Sequence, residues 1–344
     1  MKKKILISAL VVVMIMSMTL VLFTGCKDKT NNELGTDFAI PTTKIGLDWQ
    51  SNTDTEAVNA DMSAFKMLEV GMRNYYNADY AIIDYKGGVN MNVGGFLPVD
   101  QEVQSTKIRL GKGDAEGKNA NNAKYFADNK SYSNMANLYE KIIIDGQSVQ
   151  YRNANKVKYQ KADKRHPKDS WTVGSWNGID TDFTSVANEN EDKSLLKKKS
   201  NNPTILWMYD LKEENILKEI APKYDAATKT YRFGFEFKPS ESTVEYVKTM
   251  KAQLEDNAGM GVDGLVFQKL ILKVVLWENG TIRSISVVET YKMTMVVSVK
   301  PKIELKGNIV TLTANQYFSY NPNEEGFGID AHIATFTDNN HLKK

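Results

Sequence analysis

The chain of 344 residues carries 44 Lys and Arg against 42 Asp and Glu, with three His and a single Cys. A composition of 42% hydrophobic and 25% charged residues is typical of a globular protein, and it excludes wholesale disorder and a multi-span membrane protein. One Cys excludes an internal disulfide, a cysteine-based zinc cluster and an iron–sulfur centre. The near-neutral charge balance gives no electrostatic reason to expect nucleic acid as a partner.

The N-terminus has the pattern of an export signal. Three lysines after Met1 precede an uncharged, apolar run from Ile5 to Phe23. A charge at the bilayer centre costs roughly 2.5–3.5 kcal/mol, so this run predicts membrane insertion. The lysines are expected to stay on the cytoplasmic side, and the rest of the chain is expected to be exported.

The apolar run ends in a short motif around the single Cys. The sequence Leu22-Phe23-Thr24-Gly25-Cys26 resembles the lipobox of bacterial lipoprotein precursors, although Phe23 stands where that family usually has an aliphatic residue. In the family, the Cys thiol receives a diacylglyceryl group, the signal peptide is cut just before it, and the new N-terminus is often acylated, for example with palmitate. The resemblance implies a signal peptide over 1–25, cleavage between Gly25 and Cys26, and lipid attachment at Cys26. An uncleaved signal anchor is the alternative, and both versions place the body outside the membrane.

Residues 26–52 are polar after the lipidated Cys and are expected to form a flexible tether. A helix is predicted over 56–77, because apolar side chains recur there at three- and four-residue steps. Side-chain oxygens of residues 53–55 could cap its N-terminus. The periodic residues are Val58, Met62, Phe65, Leu68 and Met72.

Short β-prone runs broken by Gly predict antiparallel strands after this helix. The runs are 80–85, 89–93, 99–110 and 125–132. The dipeptide Asp145-Gly146 lies between 142–144 and 148–152 and predicts a hairpin, because a type I′ turn requires positive φ at both central residues. The stretch 153–203 alternates basic and acidic clusters with few apolar residues, so it predicts a loop-rich insert with one or two short strands.

The second half of the chain repeats the order of helix and then strands. Asp210 and Glu213 predict a capping box for a short helix that Pro222 ends. Alternating aromatics over 231–237 predict a strand with one aromatic face. The other predicted elements are a helix over 242–256, a hairpin of strands 265–277 and 282–299 that turns at Asn279-Gly280, and a strand over 309–320.

These elements predict an α+β domain over 53–322. It would consist of a curved, half-barrel-like antiparallel sheet with a few packed helices, and the repeated order suggests two similar halves. Residues 323–344 are expected to form a polar C-terminal tail. Because strand follows strand, the doubly wound lobes of a transporter's solute-binding protein are disfavoured.

The motifs for catalysis and cofactor binding are not fulfilled. Gly259 to Gly264 matches the dinucleotide fingerprint in letters, but a predicted helix precedes it and a predicted strand follows, so we interpret it as a helix stop and loop. His166, His332 and His341 lie in polar or terminal segments, which gives no support to a catalytic triad. We therefore predict no cofactor, no metal site and no catalytic residue, and we expect a non-enzymatic protein. A hydrolase with dispersed carboxylates stays open, because two acids distant in sequence leave no signature.

Two surface features are candidates for ligand binding. Trp171 and Trp176 flank a glycine and could stack on a sugar ring, although such residues more often cover the edge of a sheet. The basic run 156–168 could meet an anionic envelope polymer or lipid head groups, although a solvated loop is the commoner structure.

The order of elements over 56–320 resembles the Lol-type lipoprotein carriers and related surface lipoproteins. The resemblance implies a curved sheet that wraps helices and can hold an acyl chain between them. We therefore expect a lipoprotein at the extracytoplasmic face of the cell membrane, with the membrane as partner through its lipid anchor and with a hydrophobic or amphiphilic ligand between sheet and helices. The alternative is an envelope interaction module that binds a protein or an anionic polymer through loops 153–203.

Overall fold

The structure is a computed structural model. It describes residues 34–38, 55–93, 97–110, 124–136, 141–153, 156–164, 172–173, 177–180, 204–258, 260–297 and 303–320.

The described residues form helices and long strands. The α-helices are α1 (Ala64–Asn77), α2 (Pro239–Ser242) and α3 (Val244–Ala258), and short 3-10 helices cover Ile205–Met208 and Glu213–Asn215. The strands are β1 (Tyr80–Val93), β2 (Leu97–Leu110), β3 (Lys124–Ala136), β4 (Lys141–Asn153), β5 (Lys156–Lys164), β6 (Thr172–Val173), β7 (Asn177–Asp180), β8 (Ile216–Asp225), β9 (Thr230–Phe237), β10 (Met260–Trp277), β11 (Ile282–Val297) and β12 (Ile303–Ser319).

All described strands belong to one antiparallel sheet. Its order is β8-β9-β10-β11-β12-β1-β2-β3-β4-β5, and β6 and β7 both pair with β5. The last strand, β12, pairs with the first, β1, so the two halves of the chain form a continuous sheet. Within the described residues no pairing joins β8 to β5, β6 or β7, and the curved sheet stays open.

The predicted curved antiparallel sheet with a few helices is confirmed, and the fold is mostly β. Two similar halves are not confirmed. In the first half, α1 is followed by a run of strands that pair in chain order, whereas in the second half α2 and α3 separate the β8–β9 hairpin from β10, β11 and β12.

The core lies between the helices and one face of the sheet, which we call the inner face. The strand β9 places Phe233, Phe235 and Phe237 on it, fully buried, as the aromatic alternation predicts. Phe65 of α1 meets Phe235 edge-on at 6.3 Å between ring centroids. Each side chain of this size contributes about 1.5–3 kcal/mol when it is fully buried, so the aromatic row is a main source of stability.

The other, outer face of the sheet carries the segment 34–38. The Lys273 Nζ of β10 donates to the Asp37 carboxylate at 2.6 Å and to the Asp37 carbonyl at 2.8 Å. Leu34 packs above Gly234 of β9, where a Cβ atom would lie 3.3 Å from the Leu34 Cδ1. This part of the predicted tether is therefore docked on the sheet.

The first helix begins later than the sequence pattern predicts. It starts at Ala64, and Ser63 caps it by accepting a hydrogen bond from the Lys66 backbone N–H at 3.2 Å, so the predicted cap at 53–55 is wrong. Val58 is buried although it precedes the helix. The segment before α1 already places apolar residues such as Val58 in the core, and they continue the three- and four-residue spacing of the helix. The sequence pattern therefore predicts a helix that is longer than α1.

Glycine does not interrupt the strands where the sequence suggested. Gly87, predicted to break the first strand, lies inside β1 and pairs with Val103 and Ala314. The predicted hairpin at Asp145-Gly146 is wrong as well, because both residues lie inside β4 and pair with β3 and β5. Neighbours on both sides supply ladder hydrogen bonds, and these outweigh the local turn preference.

The short helix predicted after Asp210 is also wrong. A 3-10 turn over Glu213–Asn215 leads directly into β8, which continues through Pro222. This strand is the first in the sheet order, and the missing N–H of Pro is tolerated on an edge strand. A register shift between Ile220 and Lys223 marks the place.

The glycine-rich stretch after α3 is mainly strand. The helix ends at Ala258 and β10 begins at Met260, so the loop that we predicted up to Gly264 is replaced by strand. Gly264 has a φ of 61°, next to a register shift between Asp263 and Val266. A helix precedes this stretch and a strand follows, whereas a dinucleotide fingerprint requires a strand before it and a helix after it.

Candidate functional site

One carboxyl group is buried in the middle of the inner face. Glu289 of β11 has no solvent exposure, and its register partners Leu270 and Leu312 are buried too. Side chains alternate along a strand, so Val287, Glu289 and Tyr291 share the inner face. Among the described residues, Glu289 is the one buried acid.

Two tyrosines from different segments hold this carboxyl. The Tyr209 hydroxyl, just after a 3-10 helix, donates to Glu289 Oε2 at 2.9 Å. The Tyr246 hydroxyl of α3 donates to Glu289 Oε1 at 3.2 Å. Their rings meet edge-on with centroids 5.9 Å apart. Glu289 therefore connects the sheet to both segments that cover it.

Burial is the largest influence on the pKa values of Glu289, Tyr209 and Tyr246. It raises the pKa of Glu289 to about 8, although the hydrogen bonds from Tyr209 and Tyr246 lower it. Burial and the nearby Glu289 also raise the pKa of both phenols well above 10, so the two tyrosines stay protonated donors. At pH 7 the carboxyl is mostly neutral.

Further hydroxyl groups surround this centre. Tyr85 and Tyr291 are buried within electrostatic reach of Glu289, and Ser105 lies opposite Tyr85 in the β1–β2 pair. Among the described residues, none offers a hydrogen-bond partner to the hydroxyl of Tyr85, Ser105 or Tyr291. A buried polar group without a partner costs about 1–3 kcal/mol. These three hydroxyls are therefore unmatched among the described residues.

Most of the inner-face side chains of β2 whose burial the structure describes are polar and buried. Its side chains there include Gln101, Ser105, Lys107 and Arg109. Burial lowers the pKa of Lys107 to about 8. The Arg109 Nη2 donates to the carbonyls of Tyr75 and Ala78 at 2.6 and 2.8 Å, so this arginine caps the C-terminal end of α1. Its guanidinium lies 4.5 Å from the centroid of the Tyr75 ring.

The inner face combines charged, polar and apolar side chains. Two cationic side chains, a neutral carboxyl and several hydroxyls line a face that is otherwise aromatic and aliphatic. In the described part of the chain no group of three or more His, Cys, Asp or Glu is placed to hold a metal ion. Among the described residues, no second fully buried acid lies beside Glu289.

The residues that the sequence singled out lie elsewhere. Gly25, Cys26, Trp171 and Trp176 are outside the described residues, and so are the three histidines. The side chains of 153–203, on which the interaction-module alternative depends, are outside them too. Sequence reasoning missed Glu289, whose signal is a lone acid inside the apolar, β-prone run from Ile285 to Tyr291.

The fold defines a mostly β protein with one open antiparallel sheet and helices on one face. Of the helices that the structure describes, none combines the length and apolarity needed to cross a membrane. No protein-family model matches the chain, and no curated protein matches it.

Several solved structures are similar to the chain at a low level. A beta-barrel-like protein of a domain of unknown function from Brucella abortus has 7% identity and a TM-score of 0.22, over 70% of this chain and 97% of that one. The translocator domain of autotransporter NalP from Neisseria meningitidis has 9% identity and a TM-score of 0.19, over 71% and 90%. The outer membrane protein OprG from Pseudomonas aeruginosa has 6% identity and a TM-score of 0.16, over 71% and 97%. Scores at this level carry no argument about fold or function.

Proposed function

We propose that the chain is an extracytoplasmic lipoprotein, anchored in the cell membrane through Cys26, that binds a hydrophobic or amphiphilic ligand between the sheet and the helices. The lipobox resemblance over residues 22–26 supports the anchor. The helix-covered inner face supports the ligand site. The protein acts as a binding protein and not as an enzyme.

The unpartnered hydroxyls of Tyr85, Ser105 and Tyr291 carry the proposal. A purely structural core would match these groups or replace them with apolar side chains, because leaving them unmatched is costly. The polar end of an amphiphile satisfies them. Its alkyl part packs against methionines, which adapt to irregular shapes. The buried methionines of the core are Met67, Met72, Met91, Met208, Met250 and Met293.

Charge favours a ligand with an anionic or hydroxylated end. Lys107 and Arg109 bring positive charge to the inner face, and Glu289 is mostly neutral at pH 7. A buried cation is stabilised by an opposite charge that enters the same low-dielectric region. A fatty acid or a lysophospholipid has both an alkyl chain for the apolar core and an anionic or hydroxylated end for the polar side chains.

The test is a search for ligand by native mass spectrometry and lipid extraction. The full chain is purified from bacterial membranes in a mild detergent, as wild type and as the double variant Tyr85→Phe/Ser105→Ala. We expect wild type to retain an amphiphile, and the variant to bind an added C16 fatty acid about 5- to 150-fold more weakly, since each of the two lost hydrogen bonds contributes about 0.5–1.5 kcal/mol net.

Tyr224→Phe is the matched control, because Tyr224 is 42% exposed and lies on β8, away from the inner hydroxyls. It should bind like wild type. A wild-type protein that carries no amphiphile and takes up none would refute the ligand site. For the anchor, Cys26→Ala should give a chain without the mass of a diacylglyceryl group; a mass that differs from wild type only by the replacement of Cys with Ala would refute lipid attachment.

A further inference from the structure

A second polar cluster lies on the outer face, at the end of the β10–β11 hairpin. Arg283 of β11 is 3% exposed, and its guanidinium carbon lies 4.6 Å from the centroid of the Trp277 ring. Arg232 of β9 shares this face, because it alternates with the inward-facing Phe233 and pairs with Val275 of β10. Stacking on an aromatic ring holds a guanidinium plane in a fixed orientation.

The cluster has more donors than acceptors. Within this cluster, the buried N–H donors for which the described residues offer no partner are Nε of Arg232, Nε and Nη1 of Arg283, and Nε1 of Trp277. Arg232 Nη2 is occupied, because it donates to Asp225 at 2.6 Å and to Thr228 at 3.4 Å. These unmatched donors belong to three side chains of the cluster, and an oxygen-rich group would match them.

The charges of the cluster do not balance. Two guanidinium groups face one carboxylate, that of Asp225, which leaves +2 − 1 = +1. Glu278, the next acid, is engaged by the Tyr224 hydroxyl at 2.8 Å and by Lys229 at 3.7 Å. Arg232 lowers the pKa of Arg283, as expected for like charges in proximity, although burial is the larger cause. A singly charged anion would neutralise the cluster.

The cluster reaches solvent on one side. The side chains of Arg232 and Asp225 are 27% and 32% exposed, whereas Arg283 is enclosed. An oxyanion would therefore approach the cluster from the side of Arg232.

The segment 34–38 lies on this same outer face, where Asp37 binds Lys273 of β10. Leu34 comes eight residues after Cys26, and an extended chain reaches about 3.3–3.6 Å per residue, so the two residues lie at most about 29 Å apart. An anchor at Cys26 therefore keeps the outer face close to the lipid head groups.

We propose that Arg283, Arg232 and Trp277 form a binding site for a phosphate group, and that its source is the phosphodiester of a membrane lipid. Arginine binds phosphate oxygens bidentately, and an indole N–H adds a third donor. A phosphodiester carries a single negative charge and so matches the net charge of the cluster. The lipid source rests on the proposed anchor, whereas the phosphate site does not.

The test is a titration of the full chain in a non-ionic detergent, by calorimetry or phosphorus NMR. The probes are glycerophosphoglycerol, which is the deacylated head group of phosphatidylglycerol, inorganic phosphate, and glycerol as the uncharged control. We expect wild type to bind the phosphodiester, inorganic phosphate more weakly, and glycerol not at all. Arg283→Gln should bind the phosphodiester at least 10-fold more weakly.

Arg73→Gln is the matched control, because Arg73 lies on α1 and the substitution removes the same charge from an exposed ion pair with Glu56. It should bind like wild type. If Arg283→Gln does not fold, Trp277→Phe removes one donor and keeps an aromatic ring, and a loss of about threefold or more is expected. Equal binding by wild type and both variants, or no binding of either phosphate probe by wild type, would overturn the site. Binding of inorganic phosphate without the phosphodiester would overturn the lipid source. The titration does not depend on acylation, so a failure of the proposed anchor would appear separately, in the mass of the Cys26→Ala chain.

Discussion

Glu289 shows how a strand residue becomes a proton-binding group. Its carboxyl lies under Tyr209 and Tyr246, which are 80 and 43 residues away in the chain. Burial shifts its pKa from 4.5 to about 8, so the folded protein keeps a proton that the unfolded chain releases. Proton uptake and folding are therefore coupled at this residue.

Replacement of Glu289 should reveal this coupling. Between pH 4.5 and about 8 the folded state binds one proton more than the unfolded state, so the free energy of unfolding should fall as pH rises, by up to about 1.4 kcal/mol per pH unit. Glu289→Gln keeps the shape and cannot ionise. We expect it to match wild type near pH 5 and to exceed it by a few kcal/mol at pH 8, in denaturant titrations of the full chain.

Lys107 serves as the internal control for this experiment. Its pKa is lowered from 10.5 to about 8, so its ionisation raises stability with pH only above pH 8. Lys107→Met should therefore leave the slope between pH 5 and 7 unchanged. A Glu289→Gln chain whose stability depends on pH as strongly as that of wild type would contradict a buried, protonated carboxyl.

At the scale of elements, the β10–β11 turn is fixed by backbone geometry. Gly280 donates to the Trp277 carbonyl at 2.8 Å and has a φ of 82°, a conformation that suits glycine. The Asn74 side chain of α1 binds the backbone N–H and C=O of Glu56 at 3.0 and 2.9 Å, directly beside this turn. The turn, α1 and the chain before α1 are thus packed into one joint.

Alanine at two glycines should separate backbone strain from crowding. At Gly280 a methyl group would overlap the Glu56 carbonyl and approach Asn74, whereas at Gly264, with a φ of 61°, nothing lies within 4 Å. Gly264→Ala should cost about 1–2 kcal/mol, from the left-handed conformation alone. Gly280→Ala should cost at least about 2 kcal/mol more, measured by chemical denaturation. Equal losses of stability in the two variants would show that the packing around Gly280 accommodates a methyl group without cost.

The sequence pattern correctly predicts those elements whose structure depends mainly on their own residues. The aromatic row of β9 and the hairpin at Asn279-Gly280 follow from alternation and from turn chemistry, and both are confirmed. Asp145-Gly146 carries a turn signal of the same kind, yet pairing on both sides keeps it in β4. Glu289 could not be predicted as a site, because its burial depends on segments that the local sequence does not specify.

At the scale of the molecule, the pairing of β12 with β1 decides cooperativity. Ten residues of each strand are in register, from Ile82 opposite Ser319 to Met91 opposite Val310. The inner side of this seam is closed by Phe318, whose ring lies 5.9 Å from that of Tyr75 of α1. The two halves of the sheet should therefore unfold together.

Truncation of Phe318 tests this expectation. Phe318→Ala removes a fully buried ring and should cost about 3–5 kcal/mol, because it leaves a cavity at the seam. Ile309→Ala on the same strand changes a side chain that is 54% exposed and should cost less than about 1 kcal/mol. Fluorescence and circular dichroism should give coincident denaturation curves for both variants. Two separate transitions would contradict a single cooperative sheet.

The open sheet has free edges, and β8 forms one of them. Within the described residues it pairs on one side only, with β9. A bare strand edge can recruit another chain and seed fibres. Pro222 interrupts the row of donors, and Lys218, Glu219 and Lys223 lie exposed along it. Natural sheets protect a free edge against polymerisation with the same two devices, so we expect this edge of the sheet to resist pairing with a second chain.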